Sequence, residues 1–520
     1  MTTAAQALAL TLTAHGVDTV FGIPGTHNLA IYQALTEAGV HCVTTRHEQG
    51  AGYAADGYAR ATGRPGVVLT TTGPAVLNAA TALAQAYSDS SPILLISPGV
   101  PLAHPRLGRG YLHEAKDQSR ALDSLCAWSH RVTSPGELPA ALARAFTAFT
   151  EGRPRPIHLE IPVDLLDLPT DVPPASPLTV PPRAPDPAAV TSAATLLGTA
   201  RRPAIVLGGG VHHSRAGTLA LTLAERLGAP IVTTANGKAA VPESHPLALG
   251  ATLHLPSVQT WLAGRDVVLA VGTELAPSDL WADDFRLTGR LIRIDVDPAQ
   301  MHGDHPATIP IVADATSALD ALLAQVTARP TPPERPPLEP DLARLASRWA
   351  PELKAIRDAL PADAIVAADN SMFCYYGALG ALPIDPPGRF LYPTGFGTLG
   401  FALPAAIGAK VARPDTPVAV LAGDGAFQFS VQELATAVEL GLPIPIVISV
   451  NGGYGEIRAE MLARGMAPVA VDLHTPDFAA VADAYGACGV AVDTPEQLSE
   501  AVGKALRASG PTVIVLREAR

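Results

Sequence analysis

PVAVLAGDGAFQFSVQELATAVELGLPIPIVISVNGG, residues 417–453, reads as strand, acidic glycine turn, helix, strand and polar turn. Residues 417–422 are a short apolar run of the kind that makes a buried parallel strand. Gly423-Asp424-Gly425 follows at its carboxyl end. Residues 430–440 have helical spacing, with Ser430 at the N-cap, Glu433 completing a capping box, and Gly441 as the stop. Residues 444–450 are the next buried strand, and Asn451 sits just past its end. Such a unit puts both turns on one carboxyl edge of a parallel sheet, where open α/β sheets bind ligands.

That edge offers one carboxylate (Asp424), one side-chain amide oxygen (Asn451) and the backbone carbonyls of a glycine-rich turn. These are hard oxygen donors, too few to cage an ion alone. They suit Mg2+ whose coordination is completed by water and by the phosphates of a substrate or cofactor. Gly423 and Gly425 let the backbone approach a diphosphate closely. The helix N-terminus that follows favours its negative charge.

Working outward, 520 residues are too many for one hydrophobic core. Two proline-dense stretches, 169–187 and 329–340, read as extended linkers and divide the chain into domains 1–168, 188–328 and 341–520. In the first, strands at 17–23, 40–45, 67–71 and 93–97 alternate with helices at 48–61 and 78–87. In the second, strands lie at 204–207, 267–271 and 291–296. In the third, a helix ending at Leu360 and a strand at 364–368 precede the opening stretch. This alternation predicts an α/β protein of three doubly wound parallel-sheet domains.

A hydrophobic content of 48% with 16% charged residues means a well-buried globular protein. The net charge of −12 argues against nucleic acid and anionic membranes as partners. Cys42, Cys126, Cys374 and Cys488 lie far apart with no CxxC, so neither a zinc site nor a disulfide framework is indicated, and a reducing cytoplasm is expected. The start, MTTAAQALALTLTAHG, lacks a basic region and reads as an amphipathic helix ending at Gly16, not a signal peptide. No apolar run reaches the roughly 18 residues of a membrane span.

The GDG turn followed by an Asn turn is similar to the signature of thiamine-diphosphate enzymes. In that family the Asp, the Asn and a nearby carbonyl hold the metal, which the resemblance carries onto Asp424, Asn451 and Gly453. The family's usual Asn-Asn pair is Val450-Asn451 here, which leaves the ligand in place. The three-part division resembles the family's decarboxylase and acetolactate-synthase branch, with pyrimidine-binding, central and diphosphate-binding domains.

Glu48 opens a helix whose next turns are small or apolar, a place where desolvation disfavours the charged form. RHEQGAGYAADGYAR, residues 46–60, resembles the family helix whose glutamate bonds the pyrimidine N1′ and promotes the tautomer that deprotonates thiazolium C2. Thr394–Gly408 resembles the cofactor-bending segment, which implies a Gly397 carbonyl facing the 4′-amine and Leu399 beneath the bent cofactor. Thr72, Gly73, Asn370, Gly423, Gly425, Ala426 and Tyr454 complete the expected cofactor contacts. His113 is a second candidate catalytic residue. With Thr26, His27, Glu114 and Glu456 it is also expected to face substrate.

In the central domain, Gly208-Gly209-Gly210 is not a GxGxxG fingerprint, and the flavin-contacting run of acetolactate synthases is replaced by Thr273–Ser278. A domain without FAD is expected. The resemblance implies a thiamine diphosphate and Mg2+ enzyme acting on a small-molecule 2-oxo acid, as a homodimer or homotetramer with active sites between subunits. GRGYLHE and NGGYGEIRAEMLARG are most similar to 5-guanidino-2-oxopentanoate decarboxylases. The alternatives are an acetolactate-synthase-like carboligase and a non-catalytic family member.

Overall fold

The computed structural model describes residues 2–104, 108–328 and 334–518, so residues 329–333 of the second proline-dense stretch lie outside the described residues. Three all-parallel sheets organise the chain. Packing divides it into two compact units, Met1–Val180 with Gly400–Asp415 and Ser430–Leu442, and Pro181–Leu399 with Thr416–Phe429 and Pro443–Arg520.

The first unit holds a six-stranded sheet in the spatial order His41–Thr44, Thr19–Gly22, Gly66–Leu69, Ile93–Gly99, Ile157–Pro162, Trp128–Arg131. Its four inner strands bury both faces. Leu94 and Ile96 enter one core with Leu8, Leu12 and Phe149, while Ile93 and Leu95 enter another with Ala51, Ala55 and Leu83. That alternation is the period-two geometry of a strand with helices on both sides. The helix Ala4–Ala14 begins with a capping box, in which Thr3 and Gln6 exchange backbone N–H bonds at 3.1 and 3.2 Å.

The helices Glu48–Thr62 and Ala402–Ala412 lie unusually close. A Cβ on Gly57 would sit 2.0 Å from the Ala405 carbonyl oxygen, and one on Gly408 would sit 1.8 Å from that of Ala54. The run of Gly and Ala in both helices is therefore a packing device, since backbones meet only where no side chain intervenes.

The second unit holds two sheets. One runs Ile231–Thr233, Pro203–Leu207, Val267–Val271, Arg290–Asp295, Ile309–Val312. The other runs Arg389–Leu391, Ile365–Ala368, Val418–Gly423, Pro445–Val450, Thr512–Arg517, Cys488–Val492. The triple glycine after Pro203–Leu207 serves packing: a Cβ on Gly208 would lie 2.2 Å from the Gly272 carbonyl oxygen, and one on Gly210 would lie 2.7 Å from the Gly272 Cα.

Two expectations need correction. Residues 430–440 do not form one capped helix; a 3-10 turn Val431–Glu433 leads into the helix Leu434–Glu439, and the Ser430 side chain makes no capping bond. Glu433 is drawn elsewhere, as described below. The stretch 169–187 is not purely a linker, because Pro169–Thr170 pairs antiparallel with Thr2–Thr3 and Pro187 opens the helix Pro187–Thr199. Among the described residues, no helix is long and apolar enough to cross a membrane.

Candidate active site

In the first unit, the helix of Glu48 starts under control of Glu433. The buried Glu433 carboxylate accepts the backbone N–H of His47 at 3.0 Å, that of Arg46 at 3.1 and 3.2 Å, and the Thr436 hydroxyl at 2.7 Å. Burial holds its pKa above the usual carboxylate range, against the pull of these donors. Gly50 makes room for it, since a Cβ there would lie 2.4 Å from Glu433 Oε1. Glu48 itself is 9% exposed, and its Oε2 accepts the Asn78 amide at 2.9 Å.

The carboxyl edge of this sheet gathers the other candidates. After Thr19–Gly22, Asn28 builds the turn of Thr26 and His27, accepting the Gly25 N–H at 2.7 Å and donating to the Ile23 carbonyl at 3.1 Å. The rings of His27 and His113 meet edge to face with centroids 5.3 Å apart. Among the described residues, Nδ1 of both rings and the hydroxyls of Thr71 and Thr72 are buried without a hydrogen-bond partner. Unpaired buried polar atoms are costly and rare, so their convergence marks a place built for a polar ligand. Burial, and then the neighbouring His113, keep the His27 pKa below the ordinary range.

Gly73, at φ +69°, passes beneath the His113 carbonyl, where a Cβ would lie 2.3 Å from that oxygen. Its N–H donates to Gln118 Oε1 at 3.0 Å, and the Gln118 amide donates to the Pro98 carbonyl at 2.7 Å. Glu114 turns onto its own loop and accepts the N–H groups of Gly108, Gly110 and Tyr111 at 3.0–3.1 Å. Thr26 is exposed.

In the second unit, the two turns of the opening stretch come together. Asp424 is 3% exposed, and its Oδ2 accepts the Gly452 N–H at 2.9 Å. Burial pushes its pKa up, against the pull of the backbone N–H groups of the GDG and Asn turns. A Cβ on Gly425 would lie 3.2 Å from the Tyr454 ring and 3.5 Å from the Gly453 carbonyl oxygen. Gly453 takes φ +144°, and a Cβ there would lie 2.1 Å from the Val471 carbonyl oxygen, so no other residue fits. Asn451 Oδ1 lies 3.3 Å from the Gly453 nitrogen. Among the described residues no three His, Cys, Asp or Glu side chains gather as a metal site. The donor set here is one desolvated carboxylate with an amide and a carbonyl oxygen. It fits a hard divalent cation, which relieves the cost of the buried charge.

Asn370 works within the protein. Its amide donates to the carbonyls of Pro393 at 3.1 Å and Thr398 at 3.0 Å, and its Oδ1 accepts the Tyr392 hydroxyl. It thereby shapes the segment that carries Gly397, at φ +70°, and the half-buried Leu399. Glu456 accepts the Tyr376 hydroxyl at 2.8 Å. Asn28, Asn78, Gln118 and Tyr376 escaped the sequence reading, and the reading of Glu433 as half of a capping box missed its contacts. Asn28 acts within its own turn, through Gly25 and Ile23; the others act through partners distant in the chain, which no local pattern announces.

Family models for thiamine pyrophosphate enzymes match residues 2–121 (N-terminal TPP binding domain), 190–322 (central domain) and 374–516 (C-terminal TPP binding domain). The chain belongs to the thiamine pyrophosphate enzyme family. Glu48, Thr72, Gly73 and His113 fall in the N-terminal match, and Gly397, Asp424, Asn451 and Glu456 in the C-terminal one. A Pseudomonas aeruginosa protein named "Probable 2-ketoarginine decarboxylase AruI" is 42% identical, over 99% of this chain and 94% of its own length. A Methanocaldococcus jannaschii protein named "Probable acetolactate synthase large subunit" is 33% identical, over 98% of this chain and 91% of its own. A solved Mycobacterium smegmatis structure, provisionally assigned as a thiamin diphosphate-dependent enzyme, is 27% identical and matches over 100% of both chains with a TM-score of 0.87. The three parallel sheets are thus those of a thiamine pyrophosphate enzyme.

Proposed function

We propose that this thiamine pyrophosphate enzyme decarboxylates a 2-oxo acid without oxidising it, with 5-guanidino-2-oxopentanoate (2-ketoarginine) as substrate. The observation that carries the reading is the full-length likeness to the Pseudomonas aeruginosa protein of that name. The converging turns of Asp424 and Asn451 support it, because a chain without chemistry has no use for a desolvated carboxylate beside an amide oxygen.

In this reading Asp424, Asn451 and the Gly453 carbonyl hold Mg2+. Gly423, Gly425, Ala426 and Tyr454 border the diphosphate, and Thr72, Gly73, Gly397 and Leu399 border the rings. Bound thiamine diphosphate supplies the electron sink for the pair left behind when the carboxylate departs as CO2. Glu48 holds a proton at the pyrimidine N1′, and Asn78 fixes its carboxylate. Glu433 sets where the Glu48 helix begins. His27 and His113 offer their unpaired Nδ1 atoms to the substrate. Two or four subunits, with Glu48 and Asp424 of each site on different subunits, form the active enzyme, which resides in the cytoplasm.

The test is incubation of purified protein, with thiamine diphosphate and Mg2+, with 5-guanidino-2-oxopentanoate and with pyruvate. CO2 and 4-guanidinobutanal from the first are expected. The likeness to the acetolactate synthase subunit favours a second reading, carboligation, which acetolactate from pyruvate would reveal. No CO2 from the guanidino acid overturns the first reading.

A further inference from the structure

Within the second unit, an aromatic cluster stands beside the segment that Asn370 shapes. Trp281 lies against His254 at a tilt of 34°, with ring centroids 4.0 Å apart, and it meets Tyr375 and Tyr376 edge to face at 6.1 and 5.8 Å. Tyr375 and Tyr376 are themselves 4.6 Å apart, and Tyr376 donates its hydroxyl to Glu456. His254 and Trp281 line a pocket whose wall also includes Tyr392 and Thr394. Tyr392 bonds Asn370, so the pocket adjoins the Gly397 segment.

Three features set this cluster apart from ordinary core packing. Trp281 is 44% exposed and takes φ +52°, a left-handed conformation that a bulky residue adopts only under constraint. Tyr375 and Tyr376 lie on a stretch of π-helix, Phe373–Ala378, a rare geometry that concentrates at functional sites. Glu456 stands half-buried against the rings, and its carboxylate, which accepts the Tyr376 phenol and is also hydrogen-bonded to Tyr375, retains lone pairs for a further donor. Burial, and then the bond to Glu456, push the Tyr376 phenol up to about 12, so at neutral pH it keeps its proton and donates. The cluster therefore presents neutral ring faces together with one carboxylate.

We infer that Trp281, Tyr375 and Tyr376, with the Glu456 carboxylate, hold the cationic end of the substrate and set its preference for a guanidinium over a neutral tail. A guanidinium is planar and weakly hydrated. It stacks on aromatic faces and pairs with carboxylates through parallel N–H donors. The inference rests on the 2-oxo acid reading of the site and names the residues that would select within that class.

The test separates the two. Calorimetry with the thiamine diphosphate and Mg2+ loaded enzyme measures binding of 5-guanidinopentanoate, which lacks the reactive carbonyl, and of hexanoate as its neutral counterpart. Wild type is expected to prefer the guanidino acid. In Glu456→Gln and Trp281→Leu that preference is expected to fall by about tenfold or more, the scale of a partly desolvated charge pair. Glu456→Gln is isosteric, so it remains informative if Trp281→Leu does not fold. No preference in wild type, or an equal loss for both ligands in the variants, overturns the inference. CO2 release from 5-guanidino-2-oxopentanoate, measured on the same preparations, judges the decarboxylase reading separately.

Discussion

Two of the buried glutamates of the first unit, Glu48 and Glu433, are given different work by their surroundings. Glu433 is surrounded by donors from Arg46, His47 and Thr436, which marks a structural acceptor. Glu48 has the Asn78 amide on one oxygen, which leaves room for a ligand donor. Glu48→Gln is therefore expected to fold and to bind thiamine diphosphate, but to lose about 10²–10⁴ in turnover, the usual worth of an acid–base group. Steady-state decarboxylation beside a cofactor titration checks this, and a near wild-type rate would remove Glu48 from the mechanism. Asp424 is the charged member of its donor set, so Asp424→Ala is expected to abolish Mg2+-dependent retention of thiamine diphosphate. Equal cofactor affinity in the variant and wild type, measured with Mg2+ present, would contradict it. Both residues were legible in the sequence, because each sits in a short motif tied to a strand or helix end. The Glu433 contacts were not, because hundreds of positions separate it from Arg46.

The elements themselves depend on where side chains are absent and where polar ones are buried. Helices Glu48–Thr62 and Ala402–Ala412 touch backbone to backbone at Gly57 and Gly408. Gly408→Ala forces a methyl into the Ala54 carbonyl and is expected to cost about 1–3 kcal/mol, the range for overpacking a tight contact. Urea unfolding would check it, and an unchanged midpoint would mean that the helices can separate freely. In the strand Ile157–Pro162, the fully buried His158 lies between Ser97 and Ser129, whose hydroxyls are 2.8 and 2.7 Å from its nitrogens. Burial pushes its pKa down from 6.5 to about 3. The unfolded chain thus takes up a proton that the folded chain refuses. The stabilising contribution is full above about pH 6.5 and is lost as pH falls toward about 3. The gap in urea midpoint between wild type and His158→Gln is expected to be smaller at pH 5 than at pH 7.5; a constant gap would refute the assignment.

At the scale of the whole molecule, the proposal that each site draws on two subunits can be tested directly. If Glu48 of one subunit serves Asp424 of its partner, a mixed dimer of Glu48→Gln and Asp424→Ala chains keeps one intact site. Coexpression of the two inactive variants is therefore expected to yield decarboxylation that neither shows alone. Absence of activity in an isolated mixed dimer would place both groups of each site on one chain. The three sheets were foreseen, but most of their edges were not. Trp128–Arg131, Ile231–Thr233, Ile309–Val312, Arg389–Leu391 and Cys488–Val492 are all edge strands, absent from the sequence reading. Edge strands are short, three to five residues here, and several are half-exposed, so their local signal is weak.

The sequence by itself determined the parallel α/β architecture and the positions of Glu48, Asp424 and Asn451. Strand, turn and helix signals are local, and a carboxyl-edge turn follows from them by topology. Tertiary structure alone decided which side chains support those residues. It turned Glu433 from a presumed cap into the anchor of the Glu48 helix and made Asn370 the clasp of the Gly397 segment. It also brought Trp281 from the central domain to Tyr376, whose hydroxyl bonds Glu456. Such contacts depend on the distance between folded elements, and residue spacing along the chain carries no record of that distance.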